Sequence, residues 1–268
     1  MYDFKRCKLC GEHTAAPKYH LKKMVLYACS RCDFHYINAL DAFPPPRSEA
    51  TLLTKKDCAY IESKLPQNSA QLKVNLDFVQ QHVTLAGAKC LDIGCGAGVF
   101  PSLLHTAGAM VSALEPQQVF REFCHKKFQL SVRPELIDEP YWQLEFSDYF
   151  DVVTLWDTLE HVNFPSETIK AIAKVIKPGG HLFLDTPSRN SFFYRASEWS
   201  YLLSRGKKPM LLNTLYSAKP YCHKQIFTNQ QLWQLLEYCG FSTICRSTLH
   251  RSKNKSVLVC QKDSLLSN

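Results

Sequence analysis

The sequence predicts an α/β protein: a doubly wound, mostly parallel sheet covered by helices, preceded by a small metal-binding ribbon. Three observations carry this expectation. From Cys90 onward, short apolar runs alternate with amphipathic segments, the pattern of a parallel sheet covered on both faces. The first of these runs opens into LDIGCGAGVF, Leu91 to Phe100, where Gly94, Gly96 and Gly98 take every second position. Near the N-terminus, four cysteines fall into two Cys-x-x-Cys pairs.

The length of 268 residues suits one full domain plus an appendage, and the 46% hydrophobic content is that of a globular protein. The 32 Lys+Arg exceed the 24 Asp+Glu, for a formal charge of +8. That excess permits an anionic partner, but there is no long Lys/Arg block, so nucleic acid is not the leading partner. No apolar run is long enough to span a bilayer, and MYDFKRCKLC lacks the apolar core of a signal peptide. The cysteines are therefore expected as thiols and metal ligands in a reducing, cytoplasmic compartment.

The ribbon is expected over residues 1–46. Cys7 and Cys10 form CKLC, Cys29 and Cys32 form CSRC, and the spacing between the pairs fits a four-thiolate zinc site. Each Cys-x-x-Cys turn aims two thiolates at one point, and two turns complete a tetrahedron with no open position for substrate. A segment this short has little core, so zinc would supply much of its folding free energy. His13, His20 and His35 are expected at the surface.

The prolines of FPPPRS, Phe43 to Ser48, mark a boundary, followed by a helical connector over 47–86. Its second half carries a helical stripe of Leu72, Leu76, Phe78, Val79 and Val83, with Asn68 or Ser69 as the expected cap. The main domain is expected over 87–268. In order, KCLDIG, MVSALEP, FDVVTLWD and HLFLDTP read as strands, with helices at VFPSLLHTAG, QQVFREFCHKKF, SETIKAIAKVIKPGG and TNQQLWQLLEYCG. FSTICRSTL and SVLVCQK read as a closing hairpin. The stretch 188–222 breaks the alternation and is rich in aromatic and basic residues, among them Phe192, Phe193, Arg195, Trp199, Arg205 and Lys207. It is expected as a lid, with a dimer contact, a membrane-surface contact or a buried insert as the other readings.

Glycines after a first strand let a ligand approach the backbone where such sheets bind ligands, beyond the strands' carboxyl ends. The dinucleotide fingerprint needs its third glycine at position 99, where valine stands. Asp92, two residues before Gly94, would repel a pyrophosphate and attract a cationic ligand.

LDIGCGAGVF resembles motif I of the class I S-adenosylmethionine-dependent methyltransferases. Glu115 in ALEP, FDVVTLWDTLEHV, VIKPGGHLFLDTPSRNS and HKQIFTNQQLWQLLEYCGF resemble that family's later motifs, in order. The closing segment and the two-pair ribbon resemble a bacterial subgroup of it. The resemblance implies a seven-stranded sheet with its last strand antiparallel. It implies that Asp92, Gly94, Cys95, Gly96 and Gly98 meet the methionine end of the cofactor and that Glu115, beside Pro116, receives the ribose. Asp138 is the expected adenine partner, and Trp156 is expected to line the same site.

Methyl transfer to oxygen or carbon requires removal of a proton. WDTLEH supplies Asp157, Glu160 and His161 at the end of the fourth strand, and His223 in YCHKQIF matches a histidine frequent in the subgroup. Asp157, His161 and His223 are the candidate catalytic residues. Glu160 and His161 either act there or cap the next segment. An acidic-x-x-Glu-His pattern also occurs in ubiquinone-pathway O-methyltransferases, some of which bind a metal there, so magnesium at Asp157, Glu160 and His161 is a further reading. The expected acceptor is a small molecule such as a sugar, lipid or secondary metabolite. An RNA methyltransferase and a non-catalytic binding protein are the alternatives.

Overall fold

The computed structural model describes residues 2–42, 53–207, 209–246 and 254–264. The proline-rich boundary at 43–48 lies outside them. The ribbon consists of β1 (Ala15–His20), β2 (Val25–Cys29) and β3 (His35–Ile37), paired antiparallel in that order.

The connector is one helix, α1 (Lys55–Gln80), and not two. Its start is fixed by a capping box, in which Thr54 and Asp57 satisfy each other's free backbone amides, so neither Asn68 nor Ser69 caps it. Pro66 lies inside the helix on its exposed side, where the Glu62 carbonyl that loses its partner can turn to water. The C-terminal half buries Phe78 and Val79 against the domain.

The domain then runs β4 (Lys89–Ile93), α2 (Val99–Thr106), β5 (Met110–Leu114), α3 (Gln118–Phe128), α4 (Pro140–Glu145), β6 (Phe150–Leu155), α5 (Pro165–Val175), β7 (Ile176–Pro187), α6 (Phe192–Leu203), α7 (Met210–Leu215), β8 (Gln225–Ile226), α8 (Asn229–Tyr238), β9 (Phe241–Arg246) and β10 (Lys255–Lys262). The main sheet has the order β5-β4-β6-β7-β10-β9, with β4 to β7 parallel and β10 antiparallel to both neighbours. This is the expected doubly wound, Rossmann-like sheet, with six strands among the described residues where seven were expected. The missing edge strand is reduced to one parallel bridge between Leu114 and Arg133. Pro134 follows at once and has no N–H with which to continue a ladder.

Two core clusters flank this sheet, one built on Leu91, Leu155, Ile172 and Leu184, the other on Phe100, Val152 and Phe183. Among the described residues, no helix is long and apolar enough to cross a membrane.

The 188–222 stretch does not close over the main cavity, which of these residues only Tyr221 lines. Its apolar side chains find partners on the ribbon instead. Tyr194, Leu212 and Tyr216 pack with Tyr19, Leu21, Leu26 and Ile37 in a third cluster. β8 then pairs with β3, so the ribbon sheet has the order β1-β2-β3-β8 and is completed by a strand that follows α7 in the main domain. His35 is buried in this contact and not at the surface. Its Nδ1 lies 2.9 Å from Tyr194 Oη, which lies 2.8 Å from Tyr216 Oη.

Candidate active site

The strand order reverses between β4 and β6, and a cavity of about 380 Å³ opens there, beyond the carboxyl ends of β4, β5 and β6. Its walls include Gly94 and Gly96 after β4, Glu115 and Pro116 after β5, Asp138 before α4, and Asp157 and His161 after β6.

Gly94 has φ +72°, and a Cβ there would stand 2.6 Å from Thr158 Oγ1, so backbone conformation and packing both demand glycine. Gly96, at φ +51°, differs: a Cβ would meet nothing within 4 Å. The space beside it belongs to the cavity, and glycine leaves it clear for a ligand. Gly98 caps α2.

Glu115 is almost wholly buried. Its Oε2 accepts from Gly96 N at 3.0 Å and its Oε1 from Gln117 N at 2.9 Å. Burial raises its pKa, and the Gln117 and Gly96 amides oppose the rise. The carboxyl thus joins the glycine loop to the turn after β5, with lone pairs remaining for hydroxyl donors.

Asp92, Cys95 and Trp156 line a second, smaller cavity of about 220 Å³, which shares Gly94, Gly96 and Asp157 with the first. Asp92 accepts from Thr154 Oγ1 at 2.5 Å, and burial pushes its carboxyl up to about 7. Trp156 packs edge-on against Phe100 at 5.4 Å.

The structure brings Glu160, His161 and His223 together, with one ligand atom of each within 4.8 Å of the others. Glu160 is fully buried. Its Oε2 accepts from Thr186 Oγ1 at 2.9 Å, whereas its Oε1 has no hydrogen-bond partner and lies 3.8 Å from Nε2 of each histidine. Burial drives the Glu160 carboxyl well above its usual range and lowers His161 to about 4, with His223 adding to the latter. His223 Nδ1 donates to the Leu215 carbonyl at 3.1 Å, which leaves Nε2 with its lone pair toward the cluster.

Asp157 is not part of this group. It sits at φ +49°, donates its amide to Asp185 Oδ1 at 2.6 Å, and pairs through its carboxylate with Lys255. Its charge still adds to the rise of the Glu160 pKa, but the cluster has His223 where Asp157 was expected. Reasoning from sequence missed Tyr221, Asn163 and Phe164 as cavity walls, and no local signal marks them. They come to the cavity through Asp41, which accepts from Tyr221 N and from buried Lys224, and whose backbone exchanges two hydrogen bonds with the Asn163 side chain.

In the ribbon, all four cysteine sulfurs lie within 4.8 Å of one another, with Cys7–Cys32 at 3.6 Å and Cys10–Cys29 at 3.7 Å. A tetrahedron of thiolates around zinc has sulfurs about 3.8 Å apart, so the set fits that ion. Both knuckles turn alike: Gly11 N donates to Cys7 O and Asp33 N to Cys29 O, and each of these donors has positive φ.

A methyltransferase-domain family profile matches residues 64–246. The chain is 33% identical over 138 residues to a ubiquinone biosynthesis O-methyltransferase of Marinobacter nauticus, covering 49% of this chain and 58% of that protein. It is 37% identical over 121 residues to the Xanthomonas oryzae pv. oryzae protein of the same name, covering 43% and 50%. The chain therefore spans about half the length of the curated relatives it matches. The fold is similar to that of Burkholderia thailandensis 1,6-didemethyltoxoflavin-N1-methyltransferase, solved with 1,6-didemethyltoxoflavin and S-adenosylhomocysteine bound. That similarity has a TM-score of 0.54 at 15% identity and covers 93% of this chain and 100% of the other.

Proposed function

Because the chain belongs to the class I S-adenosylmethionine-dependent methyltransferases, we propose that it methylates a hydroxyl oxygen of a small-molecule acceptor. The observation that carries this reading is the cluster of buried Glu160 with the half-buried His161 and His223, whose His161 also forms part of the wall of the main cavity.

Bound in that cavity, S-adenosylmethionine supplies an electrophilic methyl group. Glu115 receives the ribose hydroxyls, Asp138 the adenine edge, and the Gly94–Gly96 backbone flanks the methionine end. Asp92 supports that end from the smaller cavity. Burial keeps the His161 imidazole neutral at pH 7, so its ring can take the acceptor's proton as the oxygen attacks. Glu160 Oε1 stands 3.8 Å from Nε2 of each ring, where it can stabilise a ring that takes up the proton. Phe120, Ile137 and Phe164 add apolar wall to the cavity, and alignment of nucleophile and methyl carbon requires a dry site. The apolar wall favours a small acceptor over RNA. The four ribbon thiolates hold a structural zinc.

The unpartnered Oε1 of Glu160 favours a second reading, in which a divalent cation occupies the cluster. Two imidazoles and one carboxylate suit zinc or manganese better than magnesium, which prefers oxygen ligands. Glu160, His161 and His223 would hold the ion, which would act as a Lewis acid toward the acceptor oxygen.

The test is release of S-adenosylhomocysteine with a panel of phenols, catechols, sugars and lipid alcohols. Turnover of at least one hydroxylated compound is expected. Turnover of RNA, with none of these compounds accepted, would contradict the reading.

A further inference from the structure

We propose that the outer face of α6 is a membrane-docking surface for bilayers rich in anionic phospholipid. The helix has two apolar faces. One carries Tyr194 and Tyr201 and is packed on the ribbon. The other carries Phe192 (86% exposed), Trp199 (66%), Leu202 (58%) and Leu203 (79%). Single exposed apolar residues are ordinary on a protein surface, but four large ones on one three-turn helix are not.

The surrounding charge identifies the occupant. From Ser191 to Tyr221 the sequence has one acid, Glu198, against the bases Arg195, Arg205, Lys207, Lys208 and Lys219. Glu198 faces inward and accepts from Tyr19 Oη at 3.1 Å. Arg195, Arg205 and Lys207 are exposed, as are Lys22 and Lys23 in the turn between β1 and β2. That turn is tied to the same unit: Lys22 N donates to Asn213 Oδ1 at 3.2 Å and His20 N to Tyr201 Oη at 3.0 Å. A second copy of the chain would bring these cations against their own kind. An anionic bilayer offers the complement, an apolar phase beneath a negative surface, and aromatic rings with Arg and Lys stems settle at such an interface. The platform is rigid, because the hydrogen-bonded chain His35–Tyr194–Tyr216 holds α6 on the ribbon. It also leads into the site, since α7 ends at Leu215, whose carbonyl accepts from His223 Nδ1.

The experiment is flotation of the full chain with vesicles of phosphatidylcholine alone and of phosphatidylcholine containing phosphatidylglycerol, without any methyl acceptor. Binding to the anionic vesicles only is expected, with release by high salt. Trp199 emission, read as the difference between wild type and Trp199→Ser, shifts to the blue on binding. Arg195→Glu combined with Arg205→Glu weakens partition at least about tenfold while circular dichroism and S-adenosylmethionine affinity stay unchanged. The proposal is overturned by no flotation with either vesicle, by equal binding to neutral vesicles, or by a concentration-dependent dimer that Trp199→Ser abolishes without vesicle binding.

Discussion

The rings of His161 and His223 meet edge-on at 4.9 Å between centroids, each with its Nε2 3.8 Å from the unpartnered oxygen of Glu160. Such a group can remove a proton or hold a cation, and variants separate the two uses. His161→Gln is expected to lower turnover about 10²–10⁴-fold, with S-adenosylmethionine affinity unchanged and the metal content of wild type and variant alike limited to the one zinc of the ribbon. A second metal equivalent in the wild type, lost in His161→Gln, would assign the cluster to a cation instead.

The ribbon's short strands leave its stability dependent on the four thiolates. Elemental analysis of freshly purified protein is expected to give one zinc per chain. Cys29→Ser removes a sulfur that Thr14 Oγ1 also approaches, at 3.1 Å, and is expected to cost about 3 kcal/mol or more, read as an earlier denaturation midpoint. A variant as stable as wild type would argue against structural metal.

His35 makes stability depend on pH. Burial holds its imidazole down at about 4, against 6.5 in the unfolded chain. Below pH 6.5 the unfolded chain binds a proton that the folded chain does not. The contribution is therefore complete above pH 6.5 and declines as pH falls toward 4, by about 3 kcal/mol in all. Urea denaturation of wild type and His35→Gln at pH 7 and pH 4.5 reads the effect as a difference. The gap between the two proteins is expected to narrow at the lower pH, and a constant gap would contradict it.

The parts of this architecture that were legible in the sequence are those specified locally. The glycine loop follows its strand directly, Glu115 ends the next one, and each cysteine pair is a single turn. The start of α8, which the sequence places at Thr228 or Asn229, is capped by Thr228 for the same reason. The remaining features depend on contacts between distant segments. Nothing near His35 announces Tyr194, nothing near Asp41 announces Lys224, and a two-residue strand such as β8 has no periodicity to detect. Nothing beside WDTLEH announces that Asp157 pairs with Lys255 on the last strand. The seventh strand was implied by the family resemblance alone, and Pro134 stops the ladder after a single bridge at Arg133. Inside α1, capping and tertiary packing outweighed Pro66.

Glu115 provides the most direct test of the central claim, that the cavity at the switch point is built for S-adenosylmethionine. Its two oxygens already tie the Gly96 and Gln117 amides together and still face the cavity. Calorimetry is expected to show one S-adenosylmethionine site per chain, weakened by roughly 1.5–3 kcal/mol in Glu115→Ala, the range for hydrogen bonds to a charged acceptor. Unchanged affinity in the variant would remove Glu115 from the ribose role. Tight NAD binding by the wild type, with no heat from S-adenosylmethionine, would contradict the account as a whole.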